Sequence, residues 1–244
     1  MSIQENFADM VSGAQTVRRM LDRLPIGIEP LSVGSKTTFL AANSNKSWAH
    51  KSSKRLLDVA IAVPALIVLA PLLAFLALLI RLESPGPALF RQKRLGYRGR
   101  PFDILKLRTM KVREDGETVT QAHPDDARTT RIGRWLRTFS VDELPQLINV
   151  VKGEMSLVGP RPHARAHDAF YARLIADYQR RQNVRPGITG WAQVHGLRGA
   201  TPTVDSMSRR VDFDVWYANH ASFVLDLKIL LRTPLEVLRR RNAY

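Results

Sequence analysis

A run of 22 residues without one polar side chain, Val59 to Ile80 (VAIAVPALIVLAPLLAFLALLI), interrupts an otherwise basic and polar chain. As an unbroken helix it would reach about 33 Å, enough to cross the hydrocarbon of a bilayer. Cations flank it on both sides: Lys51, Lys54 and Arg55 before it, and Arg81, Arg91, Lys93, Arg94, Arg98 and Arg100 after it. Cationic flanks favour the cytoplasmic side, and here both ends ask for that side. A straight span satisfies one end, whereas a helix that dips in, breaks and returns satisfies both. Pro64 and Pro71 each remove a helix hydrogen bond, and their spacing of nearly two turns puts both bends on one face. The carbonyls they free need partners inside the bilayer, which is the main argument for a straight span. A core helix of a soluble protein fits this length less well.

The 244 residues suffice for one or two domains. Lys and Arg number 37 against 22 Asp and Glu, a net charge of +15, which favours phospholipid head groups, phosphates or nucleic acid as partners. Much of the excess lies between Arg81 and Arg113, beside the apolar run, so a membrane surface and phosphate are favoured and no nucleic acid is expected. The chain has no cysteine, which excludes disulfides and thiolate metal sites. The opening residues, MSIQENFADMVSGAQ, lack the charged start and apolar core of a secretory signal, so the rest of the chain is expected in the cytoplasm.

Ile3, Phe7, Met10, Ala14, Val17, Leu21 and Leu24 form one helical stripe, and residues 25–50 read as a linker. The predicted organisation is an N-terminal extension over 1–50, a membrane helix over 51–83 and a cytoplasmic domain over 84–244. Gly96 and Gly99 separate two short strands, about 88–94 and 101–108, as a hairpin. Residues 115–130 read as a polar loop, 131–151 as a helix ending near Gly153, and about 163–182 as an amphipathic helix. After the glycine-rich RPGITGWAQVHGLRG come amphipathic helices over about 207–218 and 222–240, interrupted by Pro234. Asp226, Lys228 and Arg232 make the last too polar to span but suit it to an interface. The expected fold class is α+β and predominantly helical.

The chemistry is concentrated in RTFSVDELPQLINVVKGEMSLVGPRP, residues 137–162. Pro145 is tolerated only in a first helical turn, so Asp142 and Glu143 are predicted at a helix start. The dipole there favours ionised carboxylates and an approaching phosphate. Neighbouring side chains on a helix diverge by about 100°, which argues for separate roles and against a shared proton. A carboxylate can accept a phosphoryl group as an acyl phosphate, and magnesium can screen its repulsion from a diphosphate. The plainer reading is structural: Ser140 and Glu143 have the S-x-x-E spacing of a capping box. Arg137 and the turn Gly159-Pro160-Arg161-Pro162 place guanidinium groups near the acids and favour the chemical reading.

In unbroken order over about 51–244, the segments FRQKRLG, ILKLRTM, TRIGRWLR, SVDELPQLINVVKGEMSLVGPRP, RPGITGWAQV and FVLDLKIL resemble a known family. They look like those of the bacterial polyprenyl-phosphate sugar-1-phosphate transferases, the monotopic phosphoglycosyl transferases. The resemblance implies a protein docked on the cytoplasmic leaflet of a bacterial inner membrane. It would pass a sugar 1-phosphate from a UDP-sugar to undecaprenyl phosphate, releasing UMP, at the start of exopolysaccharide or capsule assembly. It gives Asp142 the role of nucleophile and Glu143 that of its magnesium-binding partner, with Mg2+ as cofactor. Lys106, Arg137 and Arg161 fall on basic positions around the phosphates.

The helix from Lys54 matches a re-entrant membrane helix broken at the position of Pro71. Two departures are visible: Ala70 stands where many relatives place serine, and Pro64 is an additional proline. Residues 1–50 stand where larger relatives carry four membrane spans and a further domain, and are expected to form a regulatory or surface-binding extension. ITGWAQVHGLRGAT and the closing RNAY look most like the glucose-1-phosphate branch, so UDP-glucose is the first expected donor and UDP-galactose the second.

Other residues admit bland readings beside sharper ones. Arg185 either touches substrate or pins a turn. His163 and His167, at i and i+4, suit zinc but lack a third ligand. Trp191 either stacks on uracil or fills a core or interface. Asp212 and Asp214 read as surface partners of Arg209 or Arg210. A basic membrane scaffold or nucleic-acid tether is the competing class, and it leaves the acidic pair unexplained. An ordinary glycosyltransferase is the nearer rival and would release UDP. Oligomeric state is left open, a homo-oligomer included.

Overall fold

The computed structural model describes residues 47–111 and 126–239. The predicted helix over 3–24, the linker up to residue 46 and most of the 115–130 loop lie outside them. The apolar run forms the middle of one helix, α1 (Ser52–Glu83, 32 residues), with Pro64 and Pro71 inside it. Where the sequence suggested an interruption at Pro71, the helix continues: each proline removes one bond from a helix long enough to keep the rest. Among the described residues α1 is the one helix long and apolar enough to cross a membrane.

Both ends of α1 are fastened to the same body. Near the start, Lys54 Nζ lies 2.6 Å from Asp226 Oδ2, and Asp58 Oδ1 accepts from Ser156 Oγ at 3.0 Å and Leu157 N–H at 3.1 Å. Arg55 donates to the carbonyls of Val150 and Val151. Lys54 and Arg55, expected as membrane-facing flanks, are therefore structural cations, and Lys54 is buried. At the other end Arg108 donates to the carbonyls of Ser84 and Pro85, just past the helix, and to that of Ile80, which also accepts from Ser84 N–H. Leu76 and Ile80 are buried beside Leu107 and Leu136, each contributing about 2 kcal/mol of apolar burial. Between the anchors Ile67, Val68, Leu72, Phe75 and Leu78 are exposed.

Strands β1 (Leu89–Leu95) and β2 (Pro101–Leu107) form the expected hairpin, each within a residue or so of its predicted bounds. The pair is antiparallel, with Phe90 opposite Lys106. The turn between them places Gly99 at φ +70°, a conformation that glycine adopts without steric cost.

The single helix anticipated over 131–151 is instead three pieces. Helix α2 (Arg131–Thr138) takes its N-cap from Thr130, whose side chain accepts from Gly133 N–H. Glu83, from the end of α1, accepts from the free amides of Arg131 and Ile132. A single 3-10 turn follows (Val141–Glu143), then helix α3 (Gln146–Lys152) with Pro145 at its N-cap. The break is at Ser140, which adopts a left-handed conformation at φ 58°. Asn149 is fully buried in α3 and ties it to β2. Its side chain accepts from Leu105 N–H at 3.0 Å and donates to Asp103 O at 2.8 Å.

A parallel pair, β3 (Ser156–Val158) and β4 (Gly187–Thr189), crosses behind the acids. Its close approach demands glycine: a Cβ on Gly187 would meet Gly159 N at 2.1 Å. Helix α4 (Arg165–Leu174) is shorter than predicted, and a separate 3-10 turn (Tyr178–Asn183) completes the stretch. Helices α5 (Val204–His220) and α6 (Phe223–Leu238) close the chain, with Pro234 inside α6. Helix α6 buries Leu225, Asp226 and Ile229 and exposes Val224, Leu227, Leu231, Leu235 and Leu238. Their three- and four-residue spacing makes a second apolar stripe. The described residues are thus mostly helical with two small two-stranded sheets, in line with the expected α+β class.

Asn149→Ala should leave the buried Leu105 N–H of β2 without a partner, free the half-buried Asp103 carbonyl, and lower stability by about 1–3 kcal/mol. The midpoint of denaturant unfolding, followed by tryptophan fluorescence, checks this.

Candidate active site

Asp142 and Glu143 sit in the 3-10 turn that precedes α3, not in its first turn, and both are almost fully buried. The capping box does not form. Ser140 makes no side-chain cap, its hydroxyl is buried without a partner, and Glu143 turns elsewhere. The Glu143 carboxylate is held between two cations. Lys106 Nζ, on β2, reaches Oε1 at 2.9 Å, and Arg161, on the turn after β3, forks onto both oxygens, with Nη1 2.8 Å from Oε2. Three segments far apart in sequence therefore meet at one carboxylate. The Asn149 tie sets the register of Lys106 against α3, and the prolines on either side of Arg161 stiffen its turn.

These contacts drive the two acids apart electrostatically. Burial alone would raise Glu143, but the charges and hydrogen bonds of Arg161 and Lys106 outweigh it and hold the group well below the ordinary carboxylate range. Asp142 receives no such fork. Burial, reinforced by the charge of Glu143, pushes it up to about 6 against the opposing pull of Lys106, Arg137 and Arg161. Near neutral pH the pair is thus an ion-paired Glu143 beside an Asp142 that is ionised but weakly stabilised. That is the state of a carboxylate suited to attack. Lys106 itself is lowered by burial, with Arg161 adding and Glu143 opposing.

Of the candidate residues, Asp142, Glu143, Lys106 and Arg161 are brought together, and Arg137 acts on Asp142 through its charge. Arg185 is not among them. Its Nε donates to Gly153 O at 3.1 Å, and its charge acts on His50. Trp191 stacks on Trp216, with ring centroids 5.0 Å apart. His163 is buried against Tyr178 and Arg181, and His167 packs edge-on against Tyr171, so neither is arranged as a zinc ligand. Asp214 is a correction: it is buried and paired with Arg181 at 2.8 Å, not a surface partner of Arg209 or Arg210.

Arg198 is a site residue that the sequence did not single out. Its guanidinium is half-buried, its Nη1 is buried without a partner, and it shares the electrostatic field of Arg161, Glu143 and Asp142. Burial, then Arg161, lowers its pKa. Arg210 donates to the neighbouring Gly199 carbonyl and steadies that loop. An arginine between Leu197 and Gly199 gives no local signal that it shares a field with residues as early as Asp142 and Glu143.

Among the described residues no three His, Asp or Glu side chains gather as a metal site. Magnesium needs less, since one or two carboxylates beside substrate phosphates suffice. Asp142 and Glu143 have that donor chemistry, and Glu143 Oε2 carries one hydrogen bond where two are possible.

The arrangement is a pair of buried carboxylates in the field of Lys106, Arg137, Arg161 and Arg198. The bacterial sugar transferase family model matches residues 49–240. The chain belongs to that family. A Caulobacter vibrioides protein named UDP-glucose:undecaprenyl-phosphate glucose-1-phosphate transferase is 57% identical over 191 residues, 78% of this chain and 72% of that protein. An Escherichia coli protein of the same name is 46% identical, the match covering 81% of this chain and 43% of its own length. The Rhizobium leguminosarum exopolysaccharide production protein PSS is 44% identical, with 78% and 98% covered. This bacterial sugar transferase is accordingly an enzyme, and its buried acid pair lies inside the matched region.

With Asp142 at about 6, the protonated form dominates below that pH and the attacking form above it. Transferase kcat/KM should therefore fall about tenfold per unit as pH drops below 6. Lys106→Met removes a charge that favours ionised Asp142, so the acid limb should move to higher pH; a pH–rate profile on both proteins checks the direction.

Proposed function

We propose that this chain transfers glucose 1-phosphate from UDP-glucose to undecaprenyl phosphate, with UDP-galactose as the second candidate donor, through a phosphosugar carried on Asp142. The observation that carries the reading is the division of labour in the acid pair: Glu143 is neutralised by Lys106 and Arg161, while Asp142 is left to react. The names borne by relatives at 46–57% identity support the donor and acceptor.

In the first step an Asp142 oxygen attacks the sugar-bearing phosphorus. The bond from that phosphorus to the bridging oxygen breaks, and UMP leaves with the bridging oxygen. A phosphate oxygen of undecaprenyl phosphate then attacks the same phosphorus and displaces the carboxylate. The products are undecaprenyl diphosphate sugar and free Asp142. Lys106, Arg137, Arg161 and Arg198 stabilise the charge that gathers on the equatorial oxygens. Arg198 brings a buried donor with no partner in the ligand-free protein. Glu143 would hold magnesium, which when bound neutralises donor phosphate charge.

The acceptor's phosphate lies at the lipid boundary, and we place the protein there too, on the cytoplasmic leaflet of the inner membrane. Both ends of α1 are held by the same body, which favours a helix that stays with that body over a straight span that would carry one end across the bilayer. The exposed stripe of α6 suits the interface beside it.

Assay of the purified protein over a panel of UDP-sugars, with the released nucleotide identified, tests the reaction. UMP is expected, and release of UDP would replace this reading with ordinary glycosyl transfer. Asp142→Asn should lower turnover by about 10^4-fold or more while leaving membrane binding intact. Mass spectrometry of protein trapped with donor alone should find the phosphosugar at Asp142. For topology, the chain has no native cysteine, so Ser52→Cys and Pro87→Cys report cleanly; both should label from one side, and opposite-side labelling would establish a span.

A further inference from the structure

Behind the Arg161 turn lies a cluster of buried polar side chains that none of the chemistry above uses. It draws His163 from the chain after the turn, Asp168 from α4, Tyr178 and Arg181 from the second 3-10 turn, and Asp214 from α5. All five are buried. Tyr178 donates to Asp168 at 2.7 Å, and its oxygen lies 2.6 Å from His163 Nδ1. Arg181 is the hub. Its Nε and Nη2 meet Asp214 Oδ2 at 3.0 and 2.8 Å, and its Nη1 meets His163 Nδ1 at 2.9 Å. Because a guanidinium can only donate, His163 Nδ1 is its acceptor and the imidazole is neutral.

Such a cluster is not what stability alone selects, since a buried ion pair can often be replaced by apolar residues at no loss. What the cluster does supply is direction. With the guanidinium plane fixed by Asp214 and His163, Nη2 also donates to the carbonyl of Arg161. The neighbouring carbonyls are held as well, Pro160 by Gly187 N–H and Pro162 by Arg94. The main chain on either side of Arg161 is thereby pinned at three successive carbonyls, and its side chain is the fork that holds Glu143.

We propose that Arg181 is a positioning residue for sugar-phosphate transfer: anchored on Asp214, it fixes the main chain of Arg161 so that the Arg161 guanidinium stays on Glu143. The proposal rests on the reading of Asp142 and Glu143 as the reacting pair. If Arg161 slips, the loss is the one that disturbing Arg161 itself produces, so changes at Arg181 and at Arg161 are not additive. A purely structural role for Arg181 would give additive losses.

The test uses the full chain in nanodiscs with UDP-glucose and undecaprenyl phosphate. Arg181→Met combined with Asp214→Asn removes one cation and one anion and leaves the cluster's net charge unchanged, and its unfolding midpoint should stay within about 5 °C of wild type. Its kcat/KM should fall about 10- to 100-fold, chiefly in kcat. On an Arg161→Lys background the same pair of changes should cost less than about twofold more, because both act through one group. A folded variant with wild-type kcat/KM, or full additivity with Arg161→Lys, would overturn the proposal. Should the paired variant not fold, Asp214→Asn alone decides: it loosens the anchor and should lower kcat/KM severalfold in the wild-type background but by less than about twofold on Arg161→Lys, and equal losses in both refute the idea. Wild-type turnover and the released nucleotide are measured in the same assay, so silence in the variants bears on Arg181 and not on the reaction.

Discussion

The fork of Arg161 and the ammonium of Lys106 on one buried carboxylate is the contact from which the rest of the site follows. Two carboxylates in adjacent positions, both out of water, cannot both be ionised without nearby compensation. The protein compensates one of them almost completely and leaves the other to the longer-range field of the same cations. The chemical difference between Asp142 and Glu143 is thus made by their surroundings. A hairpin strand brings Lys106, a proline-flanked turn brings Arg161, and a left-handed serine aims the two acids at them.

Compensation of this kind demands rigidity, because a guanidinium that drifts by an ångström loses one arm of its fork. The structure answers with main-chain anchoring. Asn149 fastens β2 to α3, the tight glycines let β3 approach β4, and the Arg181 cluster holds the turn from behind. The apolar helix takes part as well. Arg55 holds the last carbonyls of α3, and Glu83 caps α2, so both flanks of the acid turn touch α1.

The parts legible in the sequence were those set by local rules. Alternation and glycines marked the hairpin to within a residue or so, and the uninterrupted hydrophobic run marked α1. The S-V-D-E-L-P segment marked the acids, together with the arginine turn. What misled was also local. Ser140 and Glu143 have the spacing of a capping box, yet one left-handed residue defeats it and splits a helical pattern into three pieces. Lys54 read as a membrane-flanking cation and Asp226 as a charge that suits the last helix to an interface, and they are buried partners 172 positions apart. Arg181, Asp214 and Arg198 carried no motif at all. Their importance comes from which carbonyl or carboxylate they reach, and one-dimensional spacing does not encode that.

The paired fastening of α1 sets a limit on its neighbours. Lys54 and Arg108 grip opposite ends of one 32-residue segment and bind both to a single rigid platform. Under the proposed placement at a membrane, the length of the stretch between the two grips, and not the thickness of the bilayer, would set how far it reaches. A lipid-borne acceptor would then have to adjust its own height to the protein, which would serve as the fixed gauge.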